Sequence, residues 1–443
     1  MTVGERLETG TWRRFLAAAP YWYILAVPSL LFLTNIGERA YQDAFFVVLL
    51  VYALFRGRAD WSLPVLAIWG SWLAYLAWWV LTDSLGAGAL FLDPLRVGLL
   101  VLLLPWLVGW AREDNFRRPL RIGFRVALIV GVAVAIFQVL VLGAPRAAGS
   151  ENALVFAMLL SIYGIFVVHE ECVRDRGKPI LWMLLTLVPV VLSGSRAVVV
   201  ALLAVFLLLL LRHRRSVDFR LVLAGIAGTA LFLAVFAGPQ IGTRVTDALE
   251  SVPSSQAEWR DFRDEFIGMD FVEPVPDTAE DDAVSFRLKD RYRTSLGFRL
   301  VYWRTGWDVF TANPVLGVGS TQDLLEIGAT LGLGSFFDDQ YSHVHNTFLQ
   351  DLVTGGVPKL ALLLLVLIVP LVVLRPGPTG REPVAFITLG IGLFGLMNIV
   401  LELTVVTFIY TLVIAYLLAG ERGRVRVPRN PGCQPPATAR GES

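Results

Sequence analysis

The chain is short of cysteine, of net charge and of any stretch where polar and apolar residues alternate. Each shortage removes a class of protein. Two cysteines, Cys172 and Cys433, stand far apart in 443 residues, so no disulfide framework and no cysteine metal motif is spelled out. The formal net charge is only +1, which gives no reason to expect a nucleic-acid partner. Charged residues make up 17% of the chain, against about 25% in a soluble domain. No Asp-x-Asp pair and no P-loop is present, and no internal repeat is visible. Unbroken apolar runs such as Ala197 to Leu211 exclude a membrane β-barrel, whose strands alternate.

What is present is apolar length. Hydrophobic residues are 56% of the chain. Apolar runs that approach or reach membrane-spanning length recur near 21–36, 40–55, 61–82, 95–110, 124–143, 153–169, 180–193, 196–211, 221–237, 347–374, 384–399 and 403–420. This predicts an all-α polytopic membrane protein of about twelve helices, because backbone polar groups in lipid must be satisfied within the segment. The N-terminus carries no evident cleavable signal, and Arg13 and Arg14 precede a first span expected to be retained. Arg and Lys gather in alternate short connections: Arg56 and Arg58, Arg117 and Arg118, Arg174 and Lys178, Arg214 and Arg215, Arg375 and Arg381. The positive-inside rule then puts both termini in the cytoplasm and both cysteines on the reducing side.

The expected organisation has four parts. Spans one to nine occupy residues 1–237, and a large external, periplasmic loop with short helices occupies 238–344. The last three spans lie in 345–420, and a disordered cytoplasmic tail in 421–443. The loop opens with an acidic section, Glu250 to Asp282, in which Gln256 to Ile267 is patterned as an amphipathic helix. Glu280, Asp281 and Asp282 suit either a cation or a solvated turn. From Arg287, at the start of segment 287–344, the loop becomes basic and aromatic.

Three polar segments abut apolar spans on the outer face. Arg196 follows Ser193, Gly194 and Ser195 at a span start; it reads either as a phosphate ligand beside a helix N-terminus or as a snorkelling arginine. Arg299 and Trp303 share a helical face, with Arg304 next to it. That helix is predicted to stop at Ala312, because Asn313-Pro314 follows, and Gly317 and Gly319 then allow a sharp turn close to a ligand. His345 is a candidate general base and His343 its rival. Asn346 either orients the base, binds a sugar hydroxyl or caps a helix, and Gln350 lies one turn on. Gly355, Gly356 and Pro358 are expected to break that helix. Glu402 returns to the same face as a possible arginine partner. Carboxylates are nearly absent from mid-span positions, which disfavours a proton-coupled transporter.

Taken in order, Gly-Ser-Arg at Arg196, Arg-x-x-x-Trp with Asn-Pro-x-x-Gly-x-Gly at 299–319, and His-Asn-x-Phe-Leu-Gln at 345–350 resemble the O-antigen ligase and O-antigen polymerase superfamily. These are bacterial inner-membrane enzymes that act on undecaprenyl-diphosphate-linked glycans. The resemblance covers residues 180–375. It implies that Arg196 and Arg299 hold the diphosphate, that His345 activates the acceptor hydroxyl, and that transfer inverts the anomeric centre without a cofactor or metal. The implied partners are the lipid-linked donor, a glycan or lipid A–core acceptor, and the bilayer. Lys359 departs from the family, which often has glycine there. A ligase and a polymerase both remain open, with a non-catalytic transporter as the other class.

Overall fold

The computed structural model describes residues 58–87, 101–149, 152–174, 178–214, 295–320, 343–401 and 403–422, with short pieces before residue 58, at 98, and at 272–274 and 286–288. The predicted segments 221–237, 250–282 and 423–443, and Glu402, lie outside these, apart from the three strand residues at 272–274.

The described elements are helices and one small hairpin. Helix α1 spans Leu63–Ala87, α2 Leu104–Ala111, α3 Asp114–Ile136, α4 Ala153–Val173, α5 Pro179–Leu192 and α6 Arg196–Arg212. Strands β1 (Val272–Pro274) and β2 (Phe286–Leu288) pair antiparallel with Glu273 opposite Arg287. Then come α7 (Ser295–Ala312), α8 (Thr347–Val373), α9 (Arg381–Gly395) and α10 (Thr404–Arg422). Among the described residues four helices are long and apolar enough to cross a membrane: Leu63–Ser84, Phe116–Val141, Ala153–Val173 and Thr347–Val373. Pro179–Leu192 and Thr404–Gly420 are shorter and also apolar.

Local chemistry sets the helix ends. The Asn152 side chain accepts from Leu154 N at the start of α4, and Pro179 opens α5, where no helical N–H partner is required. Helix α3 begins ten residues before the predicted apolar run at 124, at Asp114. Its early arginines ride on the helix rather than in a connection, because Arg125 finds carboxylates on α4.

Helix α4 is the centre of the bundle. Phe156, Leu159, Leu160, Ile162, Tyr163, Ile165 and Phe166 are each at most 1% exposed, although they point in every direction around the axis. Gly164 lets α5 come close: a Cβ there would lie 2.3 Å from Thr186. Helices α6 and α9 pack on α4, α8 packs on α1, and α7 packs on α8. Val200, Leu207, Ile368 and Val372 are at least half exposed, as expected of a lipid-facing surface.

The connectivity gives the bundle two distinct ends. Helices α6 and α9 run antiparallel, with His213 beside Glu382 at one end and Arg196 at the other. The turn after α9, at Asn398, therefore lies at the same end as Arg196. Ser195 Oγ donates to Ala153 O, which puts the start of α4 there too.

Candidate active site

Helix α8 is broken where the sequence predicts. Gly356 has φ 69° and ψ −169°, and Pro358 has no N–H to give to the carbonyl of Thr354. The break strands two carbonyls and one N–H, and the turn after α7 takes up all three. Val318 N donates to Val353 O at 2.9 Å, Gly319 N to Thr354 O at 3.0 Å, and Val357 N to Pro314 O at 2.9 Å. The close approach requires glycine. A Cβ on Gly317 would lie 2.5 Å from Val353 O, and one on Gly356 would lie 2.3 Å from Val315 O. Gly317 and Gly319 thus bring the backbone close to α8.

Beneath the break lies the departure at Lys359. Its side chain is fully buried, 3.3 Å from Asp351 Oδ1, 2.7 Å from Thr354 Oγ1, and 4.6 Å from the centre of the Trp79 ring. Tyr75 OH donates to Asp351 Oδ1, and Trp78 Nε1 donates to Gly355 O. A charge pair therefore sits inside a predicted span, closed on its own neighbours, and it fixes the broken helix against α1.

Above the break the chain enters α8 through His343–Asn346. His345 has φ 55°, a left-handed backbone that costs a non-glycine residue about 1–2 kcal/mol. Three contacts hold it there. Gln350 Oε1 accepts from Val344 N at 2.8 Å. Asn346 Oδ1 caps α8 by accepting from Phe348 N and Leu349 N, and its Nδ2 donates to Leu396 O. Thr347 binds Asn398 O through both its N and its Oγ1.

Asn398 then fixes the histidines. Its Oδ1 lies 3.0 Å from His343 Nε2 and 3.1 Å from His345 Nδ1, and the two rings are 4.4 Å apart. An amide oxygen only accepts, so both ring nitrogens facing it carry protons. Neutral His345 therefore keeps its lone pair on Nε2, the nitrogen turned away from Asn398. Burial, with the charge of Arg299 nearby, lowers the His345 pKa below its ordinary value, although the Asn398 bond opposes the shift. Burial and the neighbouring His345 lower His343 to about 4. Both rings are thus neutral at pH 7.

Arg299 comes in from α7, half-buried, and burial lowers its pKa. One turn on, the buried Tyr302 places its ring 6.1 Å from that of His345. The half-buried Trp303 has an indole N–H with no hydrogen-bond partner among the described residues. Arg304 pairs with Asp308 on its own helix. Arg196 is exposed at the first position of α6, and no hydrogen bond or ion pair among the described residues joins it to His345.

The structure therefore brings Arg299, His343 and His345 together and leaves Arg196 apart at the same bundle end. Asn346 and Gln350 have their side chains engaged in shaping the entry to α8. Asn398 and Tyr302 are the residues that sequence reasoning missed. The only sequence signal for Asn398 is an amide near the end of the apolar run 384–399.

A helical membrane protein with a histidine, an amide and an arginine at one end of its bundle is the class that fold and site define. Residues 181–364, less than half of the chain, match the family model described as O-antigen ligase, so that stretch is similar to the O-antigen ligase and polymerase superfamily. No curated protein matches the chain. The matched stretch contains Arg196, α7, the docking turn, His345 and the break in α8. Its family supports a membrane glycosyltransferase-like enzyme with lipid-linked glycan substrates.

Proposed function

We propose that the protein transfers a glycan from undecaprenyl diphosphate to an acceptor hydroxyl, in the manner of an O-antigen ligase. The observation that carries this reading is the tautomer set by Asn398, which presents a neutral His345 Nε2 beside Arg299. His345 Nε2 takes the proton of the acceptor hydroxyl as its oxygen attacks the anomeric carbon. The bond from that carbon to the diphosphate breaks on the opposite side, so the centre inverts. Negative charge grows on the leaving diphosphate, where Arg299 and Arg196 act as fixed cations, and no metal is required. Trp303, Arg304 and the turn at Gly317 and Gly319 border the donor, with His343, Asn346 and Gln350 holding the base in place.

In this reading the bundle has about twelve spans in the bacterial inner membrane. Both termini are cytoplasmic, 238–344 is the periplasmic loop with its catalytic segment at 287–344, and the tail at 421–443 is cytoplasmic. The acceptor is lipid A–core or a comparable glycolipid. A polymerase would use the same histidine and arginines and differ only in taking a second lipid-linked repeat as acceptor.

The test is glycan analysis of the host after gene deletion and restoration with wild type or His345→Ala. Long chains stranded on undecaprenyl diphosphate are expected in the deletion and in His345→Ala. Single repeats in place of long chains would assign a polymerase. Unchanged glycans would overturn the enzyme reading.

A further inference from the structure

At the end of the bundle opposite His345, three helices converge on metal-binding chemistry. His169 lies near the end of α4, His213 caps the C-terminus of α6, and Glu382 is in the first turn of α9. One ligand atom from each lies within 4.8 Å of the others. The His169 and His213 rings are 5.5 Å apart and nearly perpendicular.

Two observations distinguish this cluster from an ordinary ion pair. His169 is 2% exposed, and its Nε2 has no hydrogen-bond partner among the described residues. An unsatisfied buried polar atom costs about 1–3 kcal/mol. In addition, His213 Nε2 and Glu382 Oε1 are 2.8 Å apart, yet neither makes a hydrogen bond of good geometry. Their separation suits a shared proton, but their directions do not. Ligand atoms from the ends of three helices instead lie close together without hydrogen bonds among them.

We propose that His169, His213 and Glu382 bind a borderline divalent cation of the zinc type. Two imidazoles and one carboxylate, with a further position open, match the ligand preference of Zn²⁺ and its first-row neighbours. Two nitrogen ligands argue against calcium and magnesium, which take oxygen. Arg212 Nε approaches the same Glu382 oxygen at 3.3 Å, but that arginine is 66% exposed and free to turn to solvent. The ion clamps the ends of α4, α6 and α9. The 15 residues of α9 put it about 22 Å from the Asn398 end, so it takes no part in glycan transfer and the proposal does not depend on that reaction.

The experiment uses the full-length protein in detergent, with any affinity tag removed and metal stripped by a chelator. Zn²⁺ is then titrated by calorimetry, and thermal unfolding is followed with and without it. One Zn²⁺ per chain and a rise in Tm are expected for wild type and for His345→Gln. Loss of both is expected for His169→Gln, His213→Gln and Glu382→Gln. His213→Gln, at a helix end, keeps the test readable if the buried His169 variant does not fold. Co²⁺ in place of Zn²⁺ should give the visible absorption of a four-coordinate site. No saturable Zn²⁺ binding by wild type, or undiminished binding by His213→Gln and Glu382→Gln, would overturn the proposal.

Discussion

The two ends of the bundle handle polar side chains in opposite ways. At the Glu170 end, carboxylates answer cations. Arg125 lies 3.0 Å from Glu170 and 2.9 Å from Glu171, Arg174 reaches Glu171, and Lys178 N and Tyr416 OH donate to the same two acids. At the His345 end the polar core is held by a neutral amide, Asn398, and by backbone groups. A carboxylate beside the histidines would hold them charged; an amide orients them and leaves them neutral. Satisfied ion pairs stitch helices together, whereas neutral, oriented bases suit chemistry.

The sharpest way to break this contrast is His345→Ala. Transfer should fall about 10²–10⁴-fold with little change in thermal unfolding, as read by glycan transfer in reconstituted membranes. Arg299→Ala should cost about 10²–10³-fold in the same assay. Arg196→Ala should cost less than Arg299→Ala, because solvent screens the exposed arginine more, and no loss at all would remove Arg196 from the diphosphate. Glu170→Ala, at the other end, should lower stability by about 1–3 kcal/mol, as for a lost hydrogen-bonded charge that is partly buried, and leave the rate of the folded protein unchanged.

Asn398→Asp tests the amide directly. The new carboxylate should raise both histidine pKa values and move the acid limb of the pH–rate profile upward by about 1–2 units. In wild type that limb should lie below pH 6.5, because the His345 pKa is lowered. An acid limb that stays in place in Asn398→Asp would remove Asn398 from the base. The smallest effect concerns stability. His343 has its folded pKa lowered to about 4, so its contribution is complete above the unfolded value near 6.5 and is lost as pH falls toward 4. Unfolding midpoints across that window, compared with His343→Gln, measure it.

Much of this arrangement was legible in the sequence. Asn313-Pro314 ended α7 at Ala312, and the glycines and Pro358 broke α8, because backbone rules act locally. His345 and Arg299 stood out by residue type beside apolar runs, and the structure brings the two near each other. Other contacts were not local. Lys359 finds Asp351 two turns away on α8 and Trp79 on α1, so only the folded helices show what a lysine does at a position where the family often has glycine. Asn398 meets the histidines only because α9 returns beside α8. His169, His213 and Glu382 are separated by long stretches of chain, and no spacing joins them.

The docking turn after α7 has an evolutionary consequence. Its grip on the broken helix is made by main-chain atoms at Pro314, Val318 and Gly319, with glycine required where the two backbones touch. The side chain of Val318 is not part of that grip. Sequence can therefore drift at Val318 while Arg299 and His345 keep their places, so the architecture of this end tolerates mutation at the turn as long as the glycines remain.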